Sequence, residues 1–173
     1  MTTHPMRFET LLDSHHDEIY GYLWRMMNGG SEAEDLTQEV FLRAYQAFGR
    51  LRRGSNHRAW LYRIATNLAY TTLRKNQRQT ERTVSPVEEG QAFASGGGPS
   101  PDRQVILNET MEAVRREIAG LPPKQQAAVV LRHVQGLEYA EIAQALNCSE
   151  DSARANVYQG LGRLRRVLAD DWS

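Results

Sequence analysis

Only one cysteine, Cys148, occurs among 173 residues. No internal disulfide can form, and without a Cys or His cluster around it Cys148 reads as a small packed residue, not a metal ligand. Long apolar runs are missing too, none approaching the roughly 20 residues that cross a bilayer. The opening MTTHPMRFET lacks the basic-then-apolar layout of a signal peptide, so the expected location is the cytoplasm. Strands alternating apolar and polar residues between hairpin turns are not found, which leaves an all-α class. Catalytic patterns are scarce as well. The histidines at 4, 15, 16, 57 and 133 are scattered, no H-E-x-x-H, P-loop or nucleophile elbow occurs, and adjacent His15 and His16 point to different helical faces. No enzymatic role, metal or cofactor is expected.

Net charge is zero, yet charge is segregated along the chain. Residues 1–48 carry net −5, residues 49–82 net +8, residues 83–113 net −4 and residues 114–173 net +1. Within the basic block, NHRAWLYRIATNLAYTTLRKNQR (56–78) contains no acid at all. A helix needing only solubility mixes its charges. Concentration of one sign on one element is the footprint of a phosphate-bearing partner.

Punctuation divides the chain. TVSPVEEGQAFASGGGPSPDR, residues 83–103, is rich in Gly, Ser and Pro and separates two segments of strong helical period. Two small helical domains are predicted, 1–82 with three helices and 104–173 with four, joined by a flexible linker. In the first, Phe8, Leu11, Leu12, Ile19, Tyr22, Leu23 and Met26 form an apolar stripe that ends at Asn28-Gly29-Gly30. Ser31 and Glu34 suggest a capping box for a second helix, which buries Leu36, Val40, Phe41, Ala44 and Phe48. The third buries Leu61, Ile64, Ala65, Leu68 and Leu73, which leaves Arg63, Asn67, Tyr70 and Arg74 on another face. Guanidinium groups neutralise phosphates, aromatic rings stack on unpaired bases, and an amide bonds a base edge. That face suits single-stranded DNA.

In the second domain a helix over 104–119 ends near Gly120, and Pro122-Pro123 opens another. YAEIAQAL, the turn Asn147-Cys148-Ser149 and a helix from Glu150 to about Ala169 have helix-turn-helix proportions. Asn147 suits a left-handed turn, Ser149 a cap, and Ile142, Ala143, Leu146, Ala153 and Val157 the joint between helices.

DLTQEVFLRAYQAF, RAWLYRIATNLAYTTLRK and LPPKQQAAVVLRHVQGLEYAEIAQALNCS, in that order, resemble a bacterial sigma factor of the extracytoplasmic-function (ECF) type within the sigma-70 family. The resemblance spans about residues 8–79 and 104–168. It implies that the second helix docks on a coiled coil of core RNA polymerase through Asp35, Leu36, Gln38, Glu39 and Phe41. It implies that the loop RLRRGSNH and the third helix open the minus-ten promoter element and hold a flipped non-template base. The residues concerned are Arg52, Arg53, Ser55, Asn56, His57, Trp60, Arg63, Asn67, Tyr70, Arg74, Lys75 and Arg78. The last domain, by the same resemblance, reads duplex DNA at the minus-thirty-five element through Ser152, Arg154, Ala155, Asn156, Gln159 and Arg163. Many members are restrained by an anti-sigma factor, and the linker threads toward the polymerase cleft.

The chain departs from the family pattern at the recognition helix. Where T-V-K-S-R-L-x-R-A-R is usual, it reads SARANVYQGLGR, with Asn156, Gln159 and Leu161 at positions where arginine is common. Asn and Gln favour bidentate contact to adenine over phosphate neutralisation, which points to an A-directed readout with weaker salt dependence. Glu138 replaces the serine that usually caps YAEIA. The competing reading is a stand-alone helix-turn-helix regulator that binds duplex DNA as a dimer.

Overall fold

Three helices make the first unit: α1 (Phe8–Met26), α2 (Ser31–Phe48) and α3 (His57–Arg82). Four make the second: α4 (Pro101–Ala119), α5 (Pro123–Val129), which runs into a π-helical turn over Val130–Val134, then α6 (Tyr139–Leu146) and α7 (Glu150–Asp170). The computed structural model describes residues 6–82 and 101–170. Residues 83–100 of the expected linker lie outside the described residues. Helix α4 starts at Pro101, ahead of the expected 104, with proline in a first turn where its missing N–H costs nothing.

The α1 stripe buries Leu11, Ile19, Tyr22, Leu23 and Met26 against α2 and α3. Tyr22 is fully enclosed, so its hydroxyl needs a partner, and it shares a 2.7 Å hydrogen bond with Thr66 of α3 while its ring meets Tyr62 edge-on. Burial raises the Tyr22 phenol far above its ordinary range. At Asn28, Gly29 and Gly30 the backbone has positive φ, and the Gly29 N–H reaches the Trp24 carbonyl at 2.7 Å. That left-handed exit corrects one expectation. Gly30, at φ 94, occupies the cap of α2, so Ser31 is already helical and the Ser31–Glu34 capping box does not form. Glu32 and Glu34 instead favour this end through the helix dipole.

The helix-turn-helix forms as its punctuation predicts. Asn147 is left-handed at φ 52, and the Ser149 hydroxyl accepts the Ser152 N–H at 3.1 Å. Glu138 takes over the missing serine's task, since its carboxylate and that of Glu141 make a reciprocal capping box at the start of α6. Gly160 of α7 packs so closely on α5 that a Cβ there would stand 2.6 Å from Val129 Cγ2.

The two units are not separate in the folded chain. Buried side chains from Leu11 through Ala69 and from Ala127 through Ala153 form one continuous apolar cluster, with α3 laid against α6. The buried Gln126 amide of α5 points its nitrogen at the Met26 carbonyl, 3.5 Å away.

Candidate protein and nucleic-acid interfaces

Helix α2 presents a stripe to solvent. Asp35 and Gln38 are exposed, Leu36 and Glu39 are half-buried, and Glu39 pairs with Arg43 at 2.7 Å. Phe41 is placed differently from the rest of its predicted group. It is 6% exposed and stacks on His16, so its ring packs in the core of the folded chain, as the apolar stripe of α2 predicts. The apolar groups that do face outward are Leu42, 53% exposed, and Tyr45, 66% exposed. With Asp35 and Gln38 they recur at i, i+3, i+7 and i+10, so one helical edge offers acid, amide and apolar groups together.

Helix α3 keeps Arg63, Asn67, Arg74, Lys75 and Arg78 exposed. Arg74, Lys75, Arg78 and Arg82 line a shallow groove of ≈ 470 Å³ whose lining includes no acid. Tyr70 departs from the expected stripe. Its hydroxyl is sealed from solvent without a hydrogen-bond partner among the described residues, and burial pushes the phenol well above its ordinary range, with nearby Cys148 adding to the rise. It belongs to the α3–α6 junction.

The loop before α3 faces the helix-turn-helix across a cavity of ≈ 560 Å³. Asn56, Trp60 and Arg63 stand on one wall, Gln144, Asn147 and Cys148 on the other. Asn56 has two tasks. Its oxygen accepts the Ala59 N–H at 3.0 Å, capping α3, and its nitrogen donates to Glu141 Oε1 at 3.1 Å. Ser55 donates to the Arg52 carbonyl, Gly54 holds the turn at φ 79, and Arg52 and Arg53 are exposed. His57 leans on Phe48, with ring centroids 6.2 Å apart.

Arg58, in the same turn, ties four elements together. It donates to Glu18 of α1 at 3.0 Å and to the Gln135 carbonyl at 2.8 Å, and it approaches Glu141 to 3.9 Å. The Gln135 amide in turn donates to the Glu18 carbonyl and to the Tyr62 hydroxyl. Burial opposes the Glu141 charge, but the Glu138 N–H, Asn56 and Arg58 together hold its carboxyl below the ordinary carboxylate value. At Cys148 burial dominates over Lys124 and raises the thiol.

On α7 the buried face runs Ala153, Val157, Gly160, Leu164. Ser152, Arg154, Ala155, Gln159 and Arg163 are exposed, and Asn156 is half-buried. Arg154 stacks on Tyr139, which also carries Arg132 on its ring, and it pairs with Glu150 and Asp151 at 3.5 Å. Asn156 donates to the Ser152 carbonyl at 2.9 Å, and the Gln159 oxygen accepts from Gln125 at 3.2 Å.

Residues 11–79 match Sigma-70 region 2, and residues 111–164 match Sigma-70, region 4. The chain belongs to the ECF branch of the sigma-70 family. This sigma factor is 30% identical over 167 residues to the ECF RNA polymerase sigma factor SigW of Bacillus subtilis, across 94% of this chain and 89% of the relative. It is 29% identical over 165 residues to the RNA polymerase sigma-H factor of Pseudomonas aeruginosa, across 93% and 86% respectively. Its fold is similar to the sigma factor RpoE crystallised with the anti-sigma factor NepR from Bartonella quintana, with a TM-score of 0.75, 22% identity, and coverage of 94% and 96%. Region 2 therefore comprises nearly all of the first helical unit, and region 4 runs from α4 into α7.

Three groups of the sigma factor escaped the residue-by-residue reading. Leu42 and Tyr45 could have been found by projecting α2 as a wheel and asking which apolar residues fall off the core stripe. Arg58 was counted in the basic block, but its role depends on residues 40 and 77 positions away, which no local pattern reveals.

Proposed function

We propose that the chain is an initiation factor that binds core RNA polymerase, recognises minus-ten and minus-thirty-five promoter elements, and opens the DNA between them. The observation that carries this reading is the division of labour on one small unit. Asp35, Gln38, Leu42 and Tyr45 form an acidic and apolar edge that repels phosphate and suits a protein, while the acid-free groove of Arg74, Lys75, Arg78 and Arg82 attracts it. The polymerase docks on the α2 edge. The unpaired strand follows α3, where Arg63 and the groove cations neutralise phosphates and Asn67 bonds a base edge.

Opening requires no bond-making step by this chain. Unstacking a base costs a few kcal/mol, and capture of the released base by aromatic and polar groups offsets that cost. Arg52, Arg53, Ser55, Asn56, His57 and Trp60 make the capture loop. Its Asn56–Trp60 wall is covered by α6 and the following turn, so strand binding needs the two helical units to part at the Arg58–Glu18–Gln135–Glu141 network. Polymerase provides that separation by holding units 1–82 and 104–173 at two distant promoter elements. Residues 83–103 connect them. Ser152, Arg154, Ala155 and Arg163 then meet the duplex in the major groove, with Asn156 and Gln159 beside them.

The setting is the cytoplasm, where polymerase and promoter are. Solved relatives are complexes with anti-sigma factors, NepR for RpoE and the cytosolic domain of CnrY for CnrH, and an inhibitor of that class is the proposed regulator here. The test is to add the purified chain to core polymerase and sequence the transcripts made from genomic fragments. Defined start sites preceded by two common elements are expected. Failure to bind polymerase, with tight dimeric binding to duplex DNA alone, would overturn the proposal in favour of the stand-alone regulator.

A further inference from the structure

A cavity of ≈ 240 Å³ opens where the two helical units meet, and neither α3 nor α7 lines it. Trp24 of α1 contributes from the first unit, and Met111, Val114 and Ile118 of α4 with Val130 and Val134 of the π-helical turn contribute from the second. Val130 is fully buried, whereas Met111 and Val134 are 53% and 45% exposed, so the space runs from the core out to solvent. The indole is fixed before anything enters. A Cβ on Gly29 would stand 3.5 Å from it, and the Arg115 guanidinium carbon lies 5.2 Å from its ring centroid.

Size limits what can fill this space. Pockets for drug-sized ligands run to about 300–1,000 Å³, and a single benzene ring occupies a cavity of about 150 Å³. One turn of helix, roughly 10 Å across and about 5.4 Å long, is too bulky. What fits is one ring or a short alkyl chain. Charge limits it further, because Arg25 and Arg115 share the lining with Asn28 and no acid does. Arg25 donates to the Gly21 carbonyl at 2.9 Å, and Arg115 approaches the carboxylate of Glu112, which lies outside the lining, only to 3.6 Å. A guanidinium carries several N–H donors in a planar fork, so both arginines keep donors for a carboxylate.

We propose that this junction cavity is a regulatory site for a small apolar carboxylate, an aromatic or short-chain fatty acid, whose hydrocarbon lies against Trp24, Val114 and Ile118 and whose carboxylate meets Arg115 and Arg25. The inference rests on the sigma reading and deepens it. Its walls come from both units, so the site exists only while they are joined. A ligand bound there favours the joined form and opposes the separation that strand capture requires. At about a hundred times its Kd, a ligand specific for one form shifts the balance roughly a hundredfold.

The test uses the full chain, with octanoate as the probe and octanamide, its uncharged analogue of the same length, as the control, both followed by titration calorimetry. The native chain should bind a single octanoate, and octanamide roughly tenfold or more weakly, the value of a hydrogen bond to a charged group. Arg115→Gln should remove that preference, and Val134→Trp, which fills the cavity from its open end, should abolish binding of both. With core polymerase present, octanoate should lower the polymerase affinity of the native chain and leave that of Val134→Trp unchanged. Equal binding of the two probes by the native chain, or a preference retained in Arg115→Gln, would overturn the carboxylate site. Octanoate binding retained in Val134→Trp would overturn it by placing the alkyl chain elsewhere, and no binding by the native chain would overturn it in favour of a protein partner. Octanoate bound without effect on polymerase affinity would overturn the regulatory role. Failure of the underlying reading looks different: the probes would bind as expected, but the chain would not bind polymerase even without octanoate. Both substituted side chains are exposed, so helical circular dichroism should be the same in all three proteins.

Discussion

The outer edge of α2 and the loop wall of α3 belong to one three-helix unit but meet solvent on different terms. Asp35, Gln38, Leu42 and Tyr45 are open in the folded chain, whereas Asn56 and Trp60 face α6 across a cavity and Asn56 is bonded to Glu141. One surface is ready for a partner as it stands. The other lies under α6 and the turn that follows it. On the proposed function this order has a physical basis: the contacts that close the wall would compete directly with a strand bound there.

The comparison breaks most sharply at Phe41 and Tyr45. Phe41→Ala removes a buried ring and should cost about 3–5 kcal/mol of stability, read as a lowered urea midpoint. Tyr45→Ala should lower that midpoint much less, by about 0.5–1.5 kcal/mol for the lost edge-on contact with Phe8, while weakening polymerase affinity about tenfold or more, as loss of an exposed aromatic anchor does. The opposite pattern would put Phe41 in the interface. Gly160→Ala should come next, since its methyl group collides with Val129. Overpacking of that kind costs about 1–3 kcal/mol, measurable by denaturation, with the α2 edge unaffected.

Closure of the α3 wall should depend on acid. Because the Glu141 carboxyl is held below its ordinary value in the folded protein, its contribution is complete above the usual carboxylate range and is lost as pH falls through the depressed value. Small-angle scattering should show the radius of gyration rising as pH falls below the ordinary carboxylate range. Glu141→Gln should flatten that dependence and let Cys148 react faster with an alkylating agent at neutral pH. An unchanged alkylation rate would mean that Glu141 does not hold the units together. The smallest effect belongs to the groove: Lys75→Ala should reduce the slope of log affinity against log salt by about 0.7 on single-stranded DNA, the value of one phosphate contact.

Much of this arrangement was legible in the chain because it is local. The α1 stripe, the Asn147 turn and the Ser149 cap each follow from a period or a residue type whose consequences end within one turn of helix. The Ser31–Glu34 motif misled because Gly30 took the cap with a backbone angle that sequence spacing does not encode. How deeply Phe41 and Tyr70 sit depends on more than their own helix, because an aromatic at the border of two helical faces is placed by what packs on it, here His16 for one and the α6 turn for the other. The closing network was out of reach altogether, since Arg58, Glu18, Gln135 and Glu141 are brought together only by tertiary packing.

The most direct measurement is permanganate reactivity of unpaired thymines at the minus-ten element in the presence of chain, core polymerase, or both. The account predicts reactive thymines only when both are present, because polymerase must dock on α2 and uncover the α3 wall before a strand can be held. Thymines made reactive by the chain alone would contradict the covered wall, and none with both present would contradict promoter opening itself.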